Sequence, residues 1–266
     1  MKIETFAGDR IVTSNILSSK FAVLTNDFGC IKEGFNSGSE KLTGFIKGFY
    51  GEAHRLFAIR TEHSFKVEVT DWNNGDADRQ FKVDGLMYGY ERNPVLGPKR
   101  PSLLLPAVIG CSTGDCPHIS YEAESGSMKL VGMAHISWLN AMHDLPGRTM
   151  LKVRQMGYPL ESVRIFLWSG LCVRCNEVDE PVREALLFYP NHFYSGKDED
   201  HWQLHLAGII LEQLDLAGIK PGQIEVSNIC PCCYRDADEQ PLFYSYRRHY
   251  FDPQREMRRN GLLIRA

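Results

Sequence analysis

The stretch LLLPAVIGCSTGDCPHISYEAESGSMKLVGMAH, residues 103–135, decides the fold of this 266-residue chain. Residues 103–111 are apolar over a length that suits a buried strand, and Ser112-Thr-Gly114 then turns the chain into Asp115-Cys116. Ile119-Ser-Tyr-Glu122 and Leu130-Val-Gly-Met-Ala134 flank the turn Glu124-Ser-Gly-Ser127, a pattern that predicts a hairpin. A hairpin brings its ends together, so His135 is expected to return beside Cys116.

Working outward, residues 10–13 and 21–25 are rich in strand formers, and 29–39 read as a Gly/Ser-rich loop. Leu42, Phe45, Ile46 and Phe49 recur near helical spacing over residues 40–50. Residues 65–69 alternate as a strand, 73–78 form a turn, and the three prolines of 93–101 mark a connector. Beyond the hairpin, Pro146 suits a helix first turn, with Met150, Val153 and Met156 on one face, and 163–168 is another strand. Residues 201–217 carry the widest amphipathic stripe, from Leu204 to Leu216, with Gly218 as its stop. Strands are expected at 224–226 and 243–248. Helices and strands mix without a regular βαβ series, which predicts an α+β fold: mixed β-sheets packed in a sandwich with flanking helices, as one domain over 1–266.

A hydrophobic content of 43% supports a large core without covalent staples, and a formal net charge of −3 disfavours nucleic acid or anionic membrane as a partner. No charged n-region with an apolar h-region opens the sequence and no apolar run is long enough to span a bilayer, so a cytoplasmic protein is expected. In that reducing compartment the eight cysteines are metal ligands, catalytic thiols or buried residues rather than disulfides.

Three metal-competent side chains stand out: His63, Cys116 and His135, each at the end of a probable strand. Singly, each is an ordinary core residue. Together, two imidazoles and a thiolate form a three-ligand set that zinc accepts while keeping a fourth position open, which separates a catalytic site from a closed structural one. Cys172-Val-Arg-Cys175 and Cys230-Pro-Cys-Cys233 are Cys-x-x-Cys pairs of the kind that build four-cysteine zinc sites, yet their separation is long for a zinc ribbon, and the expectation for them is buried thiols near a pocket. Six arginines fall in the last twenty residues, and Tyr246-Arg247-Arg248 is the candidate for holding an anionic reactant, since the guanidinium fork suits phosphate and carboxylate.

With these residues in place the chain resembles the multicopper polyphenol oxidase, or laccase-domain, family, related to peptidoglycan editing factor and to zinc-dependent purine nucleoside phosphorylases. The resemblance runs through Thr61-Glu62-His63, Val83-Asp84-Gly85, Gly114-Asp115-Cys116-Pro117, His135-Ile-Ser-Trp138, Asn176-Glu177-Val178, Cys230-Pro231 and Ser245-Tyr246-Arg247-Arg248. It implies that His63, Cys116 and His135 are zinc ligands, with copper the weaker candidate. It also implies phosphorolysis of inosine or adenosine, with possible deamination of adenosine, and a nucleoside and phosphate as partners. Cys116 and Asp115 are the catalytic candidates, Asp115 or Glu177 orienting a ligand or moving a proton, and Tyr246, Arg247 and Arg248 the phosphate-binding ones. Leu139 and Asn140 stand where the family has Arg-Gly, Thr61 replaces its glutamine, and Asn26 replaces an expected arginine, which points to a shifted substrate or weaker turnover. Three other readings compete: a metal-free cysteine hydrolase with His135 as the base of Cys116, copper-dependent oxidation of phenols, which the family's older name implies, and a catalytically weak, diverged scaffold.

Overall fold

The computed structural model describes residues 1–28, 40–50, 55–63, 66–70, 79–91, 107–251 and 258–265. Their strands form three sheets. The first runs in the order β1 (Lys2–Phe6), β2 (Asp9–Thr13), β3 (Phe21–Leu24), β16 (Asn260–Arg265), β8 (Ala107–Thr113), β4 (Arg55–Arg60) and β6 (Arg79–Lys82). The second runs β15 (Ile224–Val226), β11 (Arg164–Trp168), β9 (His118–Ser125), β10 (Met128–His135), β7 (Gly85–Glu91) and β5 (Val67–Thr70). A small third sheet holds β12 (Glu177–Asp179), β14 (His201–Leu204) and β13 (Phe193–Ser195). Parallel and antiparallel pairs occur in both large sheets, and the fold is α+β.

The hairpin expected from residues 103–135 is the centre of the second sheet. β9 and β10 pair antiparallel in a register that sets His135 opposite His118. The period of two in side-chain direction then sorts each strand's residues between layers. In β10, Val131 and Met133 face the first sheet, where they pack with Ile109 and Cys111 of β8 and Leu262 of β16. Leu130 and Ala134 point the other way, onto a helical layer. Trp168, Phe166 and Phe243 close the space between the two sheets, with Trp168 and Phe243 ring centroids 5.1 Å apart. Each fully buried aliphatic or aromatic side chain here is worth about 1.5–3 kcal/mol relative to exposure.

The helix over Leu145–Gln155 starts as the sequence predicts. Asp144 caps it by accepting the Gly147 amide, Pro146 sits in the first turn, and Leu145, Met150 and Val153 are buried against the second sheet. Two segments differ from expectation. The amphipathic run 201–217 divides, because residues 201–204 form β14 between β12 and β13, so the helix begins only at Leu206 and spans Leu206–Leu216. The strand expected over 243–248 gives way to a helix over Tyr246–Phe251: the Ser245 hydroxyl accepts the Arg248 amide and its carbonyl accepts the His249 amide, so a local cap overrides the aromatic alternation. The expected loop at 29–39, turn at 73–78, connector at 93–101 and start of the strand at 103–106 lie outside the described residues. No described helix is long and apolar enough to cross a membrane.

Candidate functional site

The carboxyl ends of β4, β8 and β10 meet at one end of the two-sheet interface. β4 and β8 are parallel neighbours, so His63, just past β4, and Cys116, just past β8, emerge on the same side, and His135 is the last residue of β10. These three side chains, with Arg60, Thr113 and Arg259, line a cavity of about 660 Å³. The His63 and His135 rings lie 5.3 Å apart edge to face. His135 is buried, Cys116 half-buried and His63 exposed. His63 has φ at +52°, a left-handed backbone that a non-glycine residue adopts at a cost, and such strain gathers at binding sites.

Asp84, fully buried at the head of β7, ties the two histidines together. Its Oδ1 accepts the His63 amide at 3.2 Å and lies 3.3 Å from His135 Nδ1. A carboxylate on Nδ1 fixes the ring and leaves Nε2 as the atom presented outward, the arrangement of a metal-ligating histidine with its supporting acid. Burial depresses the His135 pKa against the opposing pull of Asp84, which favours a neutral, lone-pair-bearing ring. In the sequence Asp84 stands out only within the Val83-Asp84-Gly85 motif, in the short link between β6 and β7.

His118 lies behind His135, with ring centroids 4.9 Å apart, and both of its nitrogens are engaged, Nε2 with Cys111 Sγ at 3.2 Å and Nδ1 with the Cys116 carbonyl at 3.1 Å. It therefore supports the Cys116 loop from inside the sandwich. Burial, followed by the nearby Asp115 carboxylate, pushes the Cys116 thiol up to about 12, with Arg259 pulling in the opposite direction. A bound cation is what converts such a thiol to a thiolate. Two imidazoles and one thiol, with Asp84 behind one of them, are chemically a zinc donor set.

The arginines distribute differently from the sequence expectation. Arg259 overhangs the loop: a Cβ on Gly114 would lie 2.7 Å from its Nη1, so a side chain there would displace the guanidinium. Tyr246 lies on the other side of Gly114, its Cβ 3.6 Å from the same point. Arg247 acts through its backbone and its fork, the amide donating to Asp115 Oδ2 at 2.6 Å and Nη2 to the Glu177 carbonyl at 2.7 Å. Arg248 is committed to three backbone carbonyls, those of Pro231, Cys232 and Phe243. The cavity wall carries Arg60 and Arg259 instead. Asp115 is half-buried, and desolvation raises its pKa against the Ser245 and Arg247 hydrogen bonds, with the buried Oδ1 lacking a partner. Glu177 pairs with Lys197 at 2.9 Å on the surface.

The cysteine pairs expected to be separate buried thiols are brought together. Parallel pairing of β11 with β15 sets the loops that follow them side by side, which the sequence separation concealed. The Sγ atoms of Cys172, Cys175, Cys230 and Cys233 all lie within 4.8 Å of one another and could hold a metal ion. Among the described residues this is the group of three or more such ligands gathered that tightly; the His63, Cys116 and His135 donors share their cavity at wider spacing.

Comparison with known proteins agrees with the fold. The hypothetical protein YfiH of Bacillus licheniformis superimposes with a TM-score of 0.75 at 19% identity, covering 98% of each chain. YlmD from Geobacillus stearothermophilus gives 0.73 at 17% identity over 98% of this chain and 97% of its own, and a Neisseria meningitidis protein of the DUF152 family model gives 0.66 at 15% over 96% and 98%. No curated protein matches in sequence. A family model described as multi-copper polyphenol oxidoreductase laccase matches residues 105–257, which is more than half of the chain and includes Cys116, His135 and the Arg247-Arg248 segment. This chain belongs to that laccase-like family.

Proposed function

We propose that the chain is a zinc-dependent purine nucleoside phosphorylase acting on inosine or adenosine. The observation that carries the reading is the cavity itself, where two imidazoles and a thiol are presented beside two arginines, with Asp84 orienting the buried ring. Zinc bound by His63, Cys116 and His135 would supply a Lewis-acid charge at the cavity floor. His63, the exposed member of the set, would be the ligand on the solvent side of such an ion. Arg259 and Arg60 are the groups that bind phosphate, through charge-assisted hydrogen bonds that hold it for in-line attack at the anomeric carbon. Asp115, half-buried and with its buried Oδ1 without a partner, positions the Cys116 loop through its bond to the Arg247 amide.

A metal-free cysteine hydrolase fits less well, because a thiol whose pKa is pushed to about 12 beside a ring whose own pKa is depressed makes a weak nucleophile–base pair. Copper-dependent phenol oxidation is the reading that the family's description favours, and oxygen uptake with a phenol separates it from phosphorolysis. The deciding assay is phosphate-dependent release of base from inosine and adenosine by zinc-loaded protein. Release is expected from the wild type and only at background level from Cys116→Ala and His135→Ala; failure of the zinc-loaded wild type to release base overturns the proposal.

A further inference from the structure

We propose that Cys172, Cys175, Cys230 and Cys233 form a second, closed zinc site whose role is structural, independent of whatever ion or reaction the cavity supports. Four thiol sulfurs gathered within 4.8 Å of one another already have the size of a metal tetrahedron. With zinc–sulfur bonds of about 2.3 Å, the edge of a regular ZnS₄ tetrahedron is about 3.8 Å. Cys172 and Cys233 stand at 3.7 Å, an edge length, and far beyond the roughly 2.05 Å of a sulfur–sulfur bond. All four are free cysteines.

The backbone around them is shaped for this purpose. Val173–Cys175 is a single 3₁₀ turn in which the Cys175 amide donates to the Cys172 carbonyl at 2.9 Å, so the two sulfurs of the first pair project from one tight turn. The second pair lies in a turn one residue wider, closed by the Tyr234 amide donating to the Cys230 carbonyl at 2.9 Å. The Cys172 amide points at Cys230 Sγ at 3.3 Å, and an N–H aimed at sulfur from the opposite pair is how a backbone supports a thiolate's charge. Two Cys-x-x-Cys turns facing each other satisfy every vertex of a tetrahedral ion. A site with no vertex left for water or substrate holds structure and does not catalyse.

What it holds is the rear of the cavity. The Leu171 amide donates to the Asp115 carbonyl at 3.1 Å, and a Cβ on Gly170, whose φ is +66°, would fall 2.3 Å from that same carbonyl oxygen. On the other turn, the Pro231 and Cys232 carbonyls accept the Arg248 guanidinium. An ion joining the two turns therefore fixes the loop that carries Cys116 and the helix that carries Arg247, without touching the cavity. Cys232 lies outside the four-sulfur group and serves as the internal control.

The test uses reduced full-length chain in the Cys116→Ala background, which removes a ligand of the cavity so that its metal does not confuse the count. Metal analysis should find one zinc equivalent retained there, lost in Cys116→Ala/Cys172→Ser/Cys233→Ser and kept in Cys116→Ala/Cys232→Ser. Cobalt added to apo Cys116→Ala should give the intense thiolate-to-metal charge-transfer bands and tetrahedral visible absorption of a four-sulfur site. The cobalt experiment needs no cysteine-cluster variant, so it stands even if the triple variant does not fold. A cobalt spectrum without tetrathiolate bands overturns the proposal, as does retention of the zinc when Cys172 and Cys233 are both replaced, or a disulfide within the cluster in protein isolated without reductant.

Discussion

The cavity of His63, Cys116 and His135 and the cluster of four cysteines differ in how their donors are delivered. The cavity takes one donor from the end of each of three strands in two different sheets, so its spacing follows the packing of the sandwich, and the donors stand apart around about 660 Å³. The cluster takes two donors from each of two turns, so its spacing is set by local backbone hydrogen bonds and the sulfurs crowd within 4.8 Å. Turn-delivered ligands close a coordination sphere by themselves, whereas strand-delivered ligands need a positioning group behind them, which is the place of Asp84. Tightness of a donor cluster is thus no guide to which site does chemistry: the looser one has room for a reactant.

The largest effect on that contrast comes from Asp84. Asp84→Asn keeps the volume but offers the His135 ring and the His63 amide a weaker, neutral acceptor, and losing such a supporting carboxylate typically costs about 10–100-fold in metal affinity or activity. Titration of apo Asp84→Asn with zinc should show the cavity's equivalent weakened by that margin and the cluster's unmoved. Equal weakening of both, or of neither, erases the distinction between strand-delivered and turn-delivered donors.

Arg248 comes next, since it tests which region its guanidinium serves. A lysine ammonium cannot reach the Pro231, Cys232 and Phe243 carbonyls together, and each carbonyl left short costs about 1–3 kcal/mol. Arg248→Lys should therefore lower the denaturation midpoint while leaving the KM for phosphate close to the wild-type value. The reverse outcome, a raised KM with unchanged stability, returns Arg248 to the phosphate-binding role that its sequence motif suggests.

How legible each region was in the sequence follows from the same contrast. The hairpin was readable because its two strands, its turn and its alternation lie within one short stretch, and that was enough to place Cys116 near His135. The whole cavity was harder, yet its three donors each ended an apolar strand. The cluster was hidden because 58 residues separate Cys172 from Cys230, and only the parallel pairing of β11 with β15 closes that gap. Residues 201–204 read as helix because Leu204 falls in phase with the apolar stripe of the helix that follows, while the third sheet claims them by pairing with β13 on one side and the earlier β12 on the other. Residues 243–248 read as strand because an aromatic alternation hid the Ser245 cap that starts a helix at Tyr246. Local patterns were visible, and every miss involved a partner chosen by tertiary structure or a cap overriding a propensity.

The smallest effect on either site should come from Glu122, which makes it the control for the comparison. It lies on β9, the strand that also carries His118, but toward the other end of the sandwich. Burial alone would raise its pKa, yet the Ser18 amide at 2.7 Å, the Ser19 amide at 2.8 Å and the Lys129 ammonium at 3.0 Å outweigh it, and the carboxyl is held below its ordinary value. A depressed folded-state pKa contributes stability that is fully present above the unfolded value of about 4.5 and is lost as pH falls through the folded value. Glu122→Gln should be less stable than wild type at neutral pH, and the gap should close as acid protonates the wild-type carboxyl, followed as denaturation midpoints from pH 7 down to about 3. Metal content at neutral pH should stay at the wild-type level at both sites. A stability gap that persists into acid removes the ion-pair account of Glu122. Loss of metal from the cavity alone would show instead that the strand-delivered site depends on the whole length of β9, a more extended support than Asp84 and His118 provide.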